Sequence, residues 1–198
     1  MSLDIPPADF ASFSLPIVTL ARTRPLIRIS KHDSGEPFFG RTGVNRFDAP
    51  DGSFGTCYCG FTLACAFSET VLHDKSIKPG GGFDVPRVQL EHRWVVSLAH
   101  TGLRLAHLRG TDLLPLGADG ELSTIMPYAL PQRWSKAVHD HPAMVDGIIY
   151  TSRRVNDEAA LVLFDRAAAR LVSPVRYRRY LKHPGHVAVH KRLRVSVV

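Results

Sequence analysis

Cysteine is scarce in this chain and badly placed for cross-linking: three copies among 198 residues, with Cys57 and Cys59 only two apart in an apolar stretch. An odd count in that arrangement excludes a disulfide framework of the secreted kind and fits a reducing cytosol, the compartment expected here. C-x-x-C spacing is absent, so Cys57, Cys59 and Cys65 are expected as small buried hydrophobes rather than zinc ligands, and no metal is expected. Long apolar runs are missing as well. Stretches such as Ala159 to Phe164 fall far short of the roughly 20 residues that cross a bilayer. The opening Met-Ser-Leu-Asp-Ile-Pro-Pro has an acid and prolines where a secretory signal carries basic charge, so export is not expected. A G-x-S-x-G nucleophile elbow is absent. Gly80-Gly81-Gly82 lacks the lysine of a phosphate-binding loop and reads as a flexible loop. Acidic residues, finally, are missing from one segment. Between Arg166 and Val198 there are nine Lys/Arg and no Asp/Glu, leaving sixteen basic against eighteen acidic residues in the rest of the chain. The net charge of +7 therefore belongs to the tail, which reads as a solvated strand-and-loop face.

What is present is ordinary globular composition, 44% apolar and 22% charged, in a length that suits one domain over 1–198 with its core at about 25–180. Pro25 to Ser30 alternates apolar and polar residues, a strand with Arg28 on one face. Lys31 to Gly55 is rich in Gly, Asp, Pro and Asn, a long loop of the kind that is usually functional or disordered. Phe54 to Gly60 reads as a strand. Thr62 caps a helix to about Leu72 with Leu63, Ala66, Phe67, Thr70 and Val71 as its buried stripe and Glu69 on the flank. Further strands are expected at Arg93 to Ala99, Leu103 to Leu108, Gly147 to Thr151, Ala160 to Phe164 and Val175 to Tyr180, with a helix at Pro131 to His139. Many short strands and few helices define an α+β domain with largely antiparallel sheet.

Three segments stand out in order: Arg28 on the first strand; Gly43-Val44-Asn45-Arg46-Phe47-Asp48 leading to Tyr58 and then Glu69; and Gly147-Ile148-Ile149-Tyr150-Thr151-Ser152-Arg153. This order, covering Leu26 to Phe164, resembles the RES family, named for its Arg, Glu and Ser. The resemblance implies a fold similar to ADP-ribosyltransferases, two small mostly antiparallel sheets around a cleft, and cleavage of the nicotinamide ribosyl bond of NAD. It places Arg28, Arg46, Tyr58, Glu69 and Ser152 in that cleft. Glu69, Arg46 and Ser152 are the catalytic candidates, and Arg28, Arg46, Tyr58 and Ser152 the NAD-binding ones. It also implies a growth-inhibiting toxin neutralised by an antitoxin with an Xre-like DNA-binding region. Two departures bear on pocket shape: Phe47 stands where many relatives have tryptophan, and Cys59-Gly60 follows the tyrosine in place of a small, often alanine-containing pair.

Residue chemistry supports the same direction. Breaking the nicotinamide ribosyl bond leaves an oxocarbenium-like sugar and a neutral leaving group, so no general acid is needed. A single carboxylate, Glu69, can hold ribose hydroxyls and stabilise the positive charge. Arginine forks suit pyrophosphate, or inorganic phosphate acting as nucleophile. Ser152 can orient the ribose or Glu69, and Tyr58 can stack on nicotinamide. NAD is thus expected as substrate with no further cofactor, and water or phosphate as acceptor. Transfer to a macromolecule, or a basic nucleic-acid-binding module with no activity, are the alternatives; direct nucleic-acid binding is not expected. His139, His141, His183, His186 and His190 lie beside helix ends, prolines and basic residues and read as exposed polar positions.

Overall fold

A computed structural model describes residues 3–198. The strands are β1 (Ile17–Leu20), β2 (Leu26–Ser30), β3 (Thr56–Gly60), β4 (Phe83–Val85), β5 (Trp94–His100), β6 (Leu103–Leu108), β7 (Gly147–Thr151), β8 (Ala159–Phe164), β9 (Leu171–Arg179) and β10 (Val195–Val197). Helices are α1 (Leu63–Thr70), α2 (Arg87–Glu91), α3 (Ala129–Asp140) and α4 (His186–Leu193), with short 3₁₀ turns between elements. Eight strands form the main sheet in the order β1-β6-β7-β8-β3-β2-β5-β9. Only the β6–β7 pair in this sheet is parallel. The sheet is nearly cut in two at its middle. β2 meets β3 at one register pair, Ile27 with Gly60, whereas β3–β8 and β2–β5 each run for five pairs. Beyond Ile27 the strands diverge, and the Arg28 side chain enters the gap to donate from Nη1 to the Tyr58 carbonyl at 3.0 Å. The expected two half-sheets around a cleft are therefore joined by a single register pair, and Arg28 stands at the fork.

Helix α1 starts where the sequence places it: Thr62 is extended and its side chain accepts from the Cys65 amide. A cap of this kind is worth about 1 kcal/mol. Gly60 is required just before it, because a Cβ there would lie 2.8 Å from the Ala66 nitrogen. The expected single stripe needs correction, since Leu63 through Phe67 and Ser68 are all buried. The reason lies in the C-terminal segment. Tyr180 stacks on Phe67 with ring centroids 5.0 Å apart, and α4 lays Val189 into the same cluster. The basic tail is thus one wall of the core, with its cations pointing outward. Two are matched by acids of the body: Arg192 pairs with Asp157 and Glu158, and Arg170 with Asp146.

The histidines also depart from expectation. His141 is 5% exposed and bonds the Phe13 carbonyl, and His139 stacks on Phe54 at 4.1 Å. His186 and His190 pack around Tyr180. An imidazole has two apolar faces, and here the neighbouring rings cover them. Helix α3 begins before Pro131. A second sheet pairs β4 in parallel with β10, and α2 follows β4. The glycine triplet before β4 is a turn closed by a Lys78 amide bond to the Gly82 carbonyl, and all three glycines have positive φ. The three cysteines are free and buried. Among the described residues no helix is long and apolar enough to cross a membrane.

Candidate active site

Glu69 projects from the last turn of α1 toward β7. Its Oε1 accepts from the Ser152 hydroxyl at 2.7 Å and its Oε2 from the Tyr150 phenol at 2.9 Å. Tyr150 and Ser152 are two residues apart at the end of β7, so the strand's period of two aims both at the same face. Ser152 is fully buried and also accepts from the Val155 amide at 3.3 Å. It therefore sits behind the carboxylate and orients it, rather than lining the cavity. Burial pushes the Tyr150 phenol well above its ordinary value, and the Glu69 charge beside it acts in the same direction. It remains a proton donor to Glu69 at neutral pH.

In front of Glu69 lies a cavity of about 230 Å³ whose walls include Arg28, Arg46, Tyr58, Glu69, His73 and Tyr150. Four of the five residues singled out in the sequence thus share one cavity, and the fifth holds the carboxylate. Arg46 is 4% exposed. Its Nη1 donates to the Ile125 carbonyl at 2.7 Å, its guanidinium carbon lies 4.6 Å from the centre of the Tyr128 ring, and its Nη2 is buried without a partner. Burial weakens its hold on the proton, and the nearby Arg153 adds to that, but a guanidinium stays charged in proteins. A buried cationic donor with nothing to bind is costly unless a ligand completes it.

Arg28 is more constrained than the sequence suggests. Besides the Tyr58 carbonyl it bonds Glu36 through Nε, 3.0 Å from Oε1 and 2.9 Å from Oε2. Burial works against the Glu36 charge, but the Arg28 guanidinium and the Phe38 amide hold its carboxyl below the usual range. Part of the fork is therefore already used before any phosphate arrives. The Tyr58 hydroxyl is likewise committed, donating to Asp48 Oδ1 at 3.1 Å and accepting from the Phe47 amide at 2.8 Å. Its ring remains on the cavity wall.

Asp48 carries no functional signal of its own in the sequence, yet it organises the turn that carries Arg46. It is 1% exposed. One oxygen accepts from Thr56 and Tyr58, the other from the Asn45 amide and side chain. From α3, Gln132 bonds the Gly43 and Asn45 carbonyls and Ser135 the Phe47 carbonyl. Tyr150 is legible as part of a motif but not as a ligand of Glu69; its place two residues before Ser152 is the signal. His73 and Tyr128, which bond each other at 3.1 Å, carry no sequence signal. Among the described residues no three His, Cys, Asp or Glu side chains are grouped to hold a metal ion.

A divided sheet opening on an arginine, a glutamate held by a buried serine and a glycine-rich arginine turn define a known class: the chain belongs to the RES domain family, whose model matches residues 25–183. Two particular likenesses add to this. A Sinorhizobium fredii protein named "Probable toxin y4kH" is 31% identical over 101 residues, which span 50% of this chain and 79% of that protein. A chain of the crystal structure of the M. tuberculosis MbcT-MbcA toxin-antitoxin complex matches with a TM-score of 0.58 at 12% identity, covering 86% of this chain and 88% of that one. At that identity the second likeness is one of fold.

Proposed function

We propose that this protein is an NAD-degrading toxin that breaks the nicotinamide ribosyl bond and is neutralised by a cognate antitoxin. The observation that carries the reading is the Glu69 carboxylate, fixed by two hydroxyls at the wall of a cavity whose other charged lining includes Arg28 and a buried, incompletely bonded Arg46. A fixed negative charge facing a cavity suits a reaction in which positive charge develops on a sugar. As the carbon–nitrogen bond breaks, its electron pair goes to the pyridinium nitrogen and neutral nicotinamide leaves. An oxygen of water or orthophosphate then forms the new bond to the anomeric carbon, losing its proton to solvent or to the carboxylate. Arg46 and Arg28 hold phosphate oxygens, and the Tyr58 ring faces the base.

The toxin class and the antitoxin partner draw support from the names of the two relatives, and an Xre-like DNA-binding region in that partner is part of the same proposal. Expression without a partner tests it. Cellular NAD should fall and growth should stall; unchanged NAD in cells that accumulate folded protein contradicts the reading.

A further inference from the structure

A second chamber of about 390 Å³ adjoins the Glu69 cavity, with Arg28 and Thr70 in the walls of both. Its remaining lining comes from β2, the loop that follows it, and Arg93 just before β5, the neighbour of β2 in the same half-sheet: Ser30, Lys31, His32, Ser34, Phe38 and Arg93 among others. Arg93 is the anomaly. It is 6% exposed and its Nε is buried without a hydrogen-bond partner. Burial alone acts on its charge, lowering its affinity for the proton, with no acid close enough to oppose it. The one carboxylate in the chamber wall, Glu36, is already paired with Arg28. A buried guanidinium without a counter-charge is destabilising in an isolated fold.

We propose that this chamber is a phosphate site, in which Arg93, assisted by Lys31, takes a phosphoryl dianion. The planar fork of Arg93 matches phosphate oxygens, and Lys31 on the same wall adds a second cation. Ser30 Oγ accepts from the His32 amide at 3.0 Å, which fixes the turn that carries Lys31 and His32 along this wall. Phe38, 63% exposed on the same wall, offers a face on which a base can stack. The dianion has two possible sources, free orthophosphate or a phosphomonoester of a nucleotide that spans both chambers. The nucleotide source rests on the NAD reading above; the anion site does not.

Calorimetric titration of the full chain with orthophosphate, NAD and NADP, using Glu69→Gln as the background that blocks turnover, separates these sources. Arg93→Met, which keeps the stem and removes the charge, is the test variant. If orthophosphate binds and Arg93→Met weakens it at least about tenfold, the size expected for losing a charge-assisted bond, the free ion is the ligand. If NADP alone shows that Arg93 dependence, the ligand is the nucleotide's phosphomonoester. Binding of all three probes that is equal in the two proteins, or no binding of orthophosphate and NADP to the Arg93 protein, overturns the site. Melting supplies the folding control. Arg93→Met should melt no lower than its parent without anion and should lose the parent's phosphate-induced rise; a large drop in melting temperature instead contradicts an unpartnered Arg93. Phosphate binding with no NAD binding here, and no NAD cleavage by the unsubstituted chain, would leave this site standing and remove the NAD reading.

Discussion

Removing the two hydroxyls that hold Glu69 tests whether the carboxylate must be aimed. Ser152 is fully buried and donates to Oε1 at 2.7 Å, so no water replaces its hydroxyl easily in Ser152→Ala. A hydrogen bond to a charged group contributes about 1.5–3 kcal/mol, which, if felt mainly in the transition state, lowers kcat by roughly 10- to 100-fold. Tyr150→Phe removes the 2.9 Å bond to Oε2 but keeps the ring against Phe47, 4.7 Å away, and should cost less. Either single variant leaves one oxygen tied. The double variant frees both, so its loss should exceed the product of the single losses and approach that of Glu69→Gln, on the order of 10²- to 10³-fold. The amide introduced by Glu69→Gln keeps the shape and leaves a side chain able to bond in the same place, which isolates the charge. The assay is initial-rate NAD consumption, resolving kcat from KM, with melting curves for each variant. Ser152→Ala also strips the Val155 amide of its acceptor, so a stability loss of about 1–2 kcal/mol is expected beside the rate effect. A folded double variant with full kcat refutes the aiming role, and a folded Glu69→Gln protein with near wild-type turnover removes Glu69 from the mechanism.

Other expectations follow from the same geometry. If Arg46 and Arg28 grip ground-state phosphates as proposed, Arg46→Ala and Arg28→Ala should raise KM at least as much as they lower kcat; steady-state kinetics in which only kcat falls would contradict that role. Truncation after Pro174 should abolish cooperative melting, since it removes Tyr180 and Val189, 0% and 5% exposed, from against α1; a soluble, cooperatively melting fragment would contradict the packing. Thr62→Ala deletes the α1 cap and the bond to Glu158, and should lower stability by about 1–2 kcal/mol in denaturant titration. Burial pushes the Cys65 thiol up to about 12. The reactive thiolate is therefore suppressed at pH 8, and a thiol reagent should label Cys65 only after unfolding, whereas fast labelling of the native protein would place it on the surface.

The parts of this fold that are legible in the sequence are those where local pattern and global structure agree. Thr62 before an apolar helix, the alternation around Arg28, and Gly147 to Thr151 all declare themselves within a few residues. The site residues are legible as an ordered set through the resemblance to the RES family, since none of them declares a role alone and they meet only in three dimensions. What stays hidden depends on long-range packing. α1 is buried on more than one face because α4 and Tyr180 arrive from a tail that reads as merely basic. Asp48 looks like a loop acid until Tyr58 and Thr56 converge on it, and the burial of Arg93 shows only in the fold, where the acid in the chamber wall, Glu36, is already paired with Arg28. His139 and His141 mislead for a related reason: a polar symbol in the sequence says nothing of the rings that cover it.

The most direct test of the central claim is incubation of the purified chain with NAD, with and without orthophosphate, with products read by mass. Nicotinamide should be released together with ADP-ribose in water, or its phosphorylated form when phosphate is present, and both should be lost in Glu69→Gln. Intact NAD after prolonged incubation with folded, antitoxin-free protein, in the presence and absence of phosphate, would contradict it.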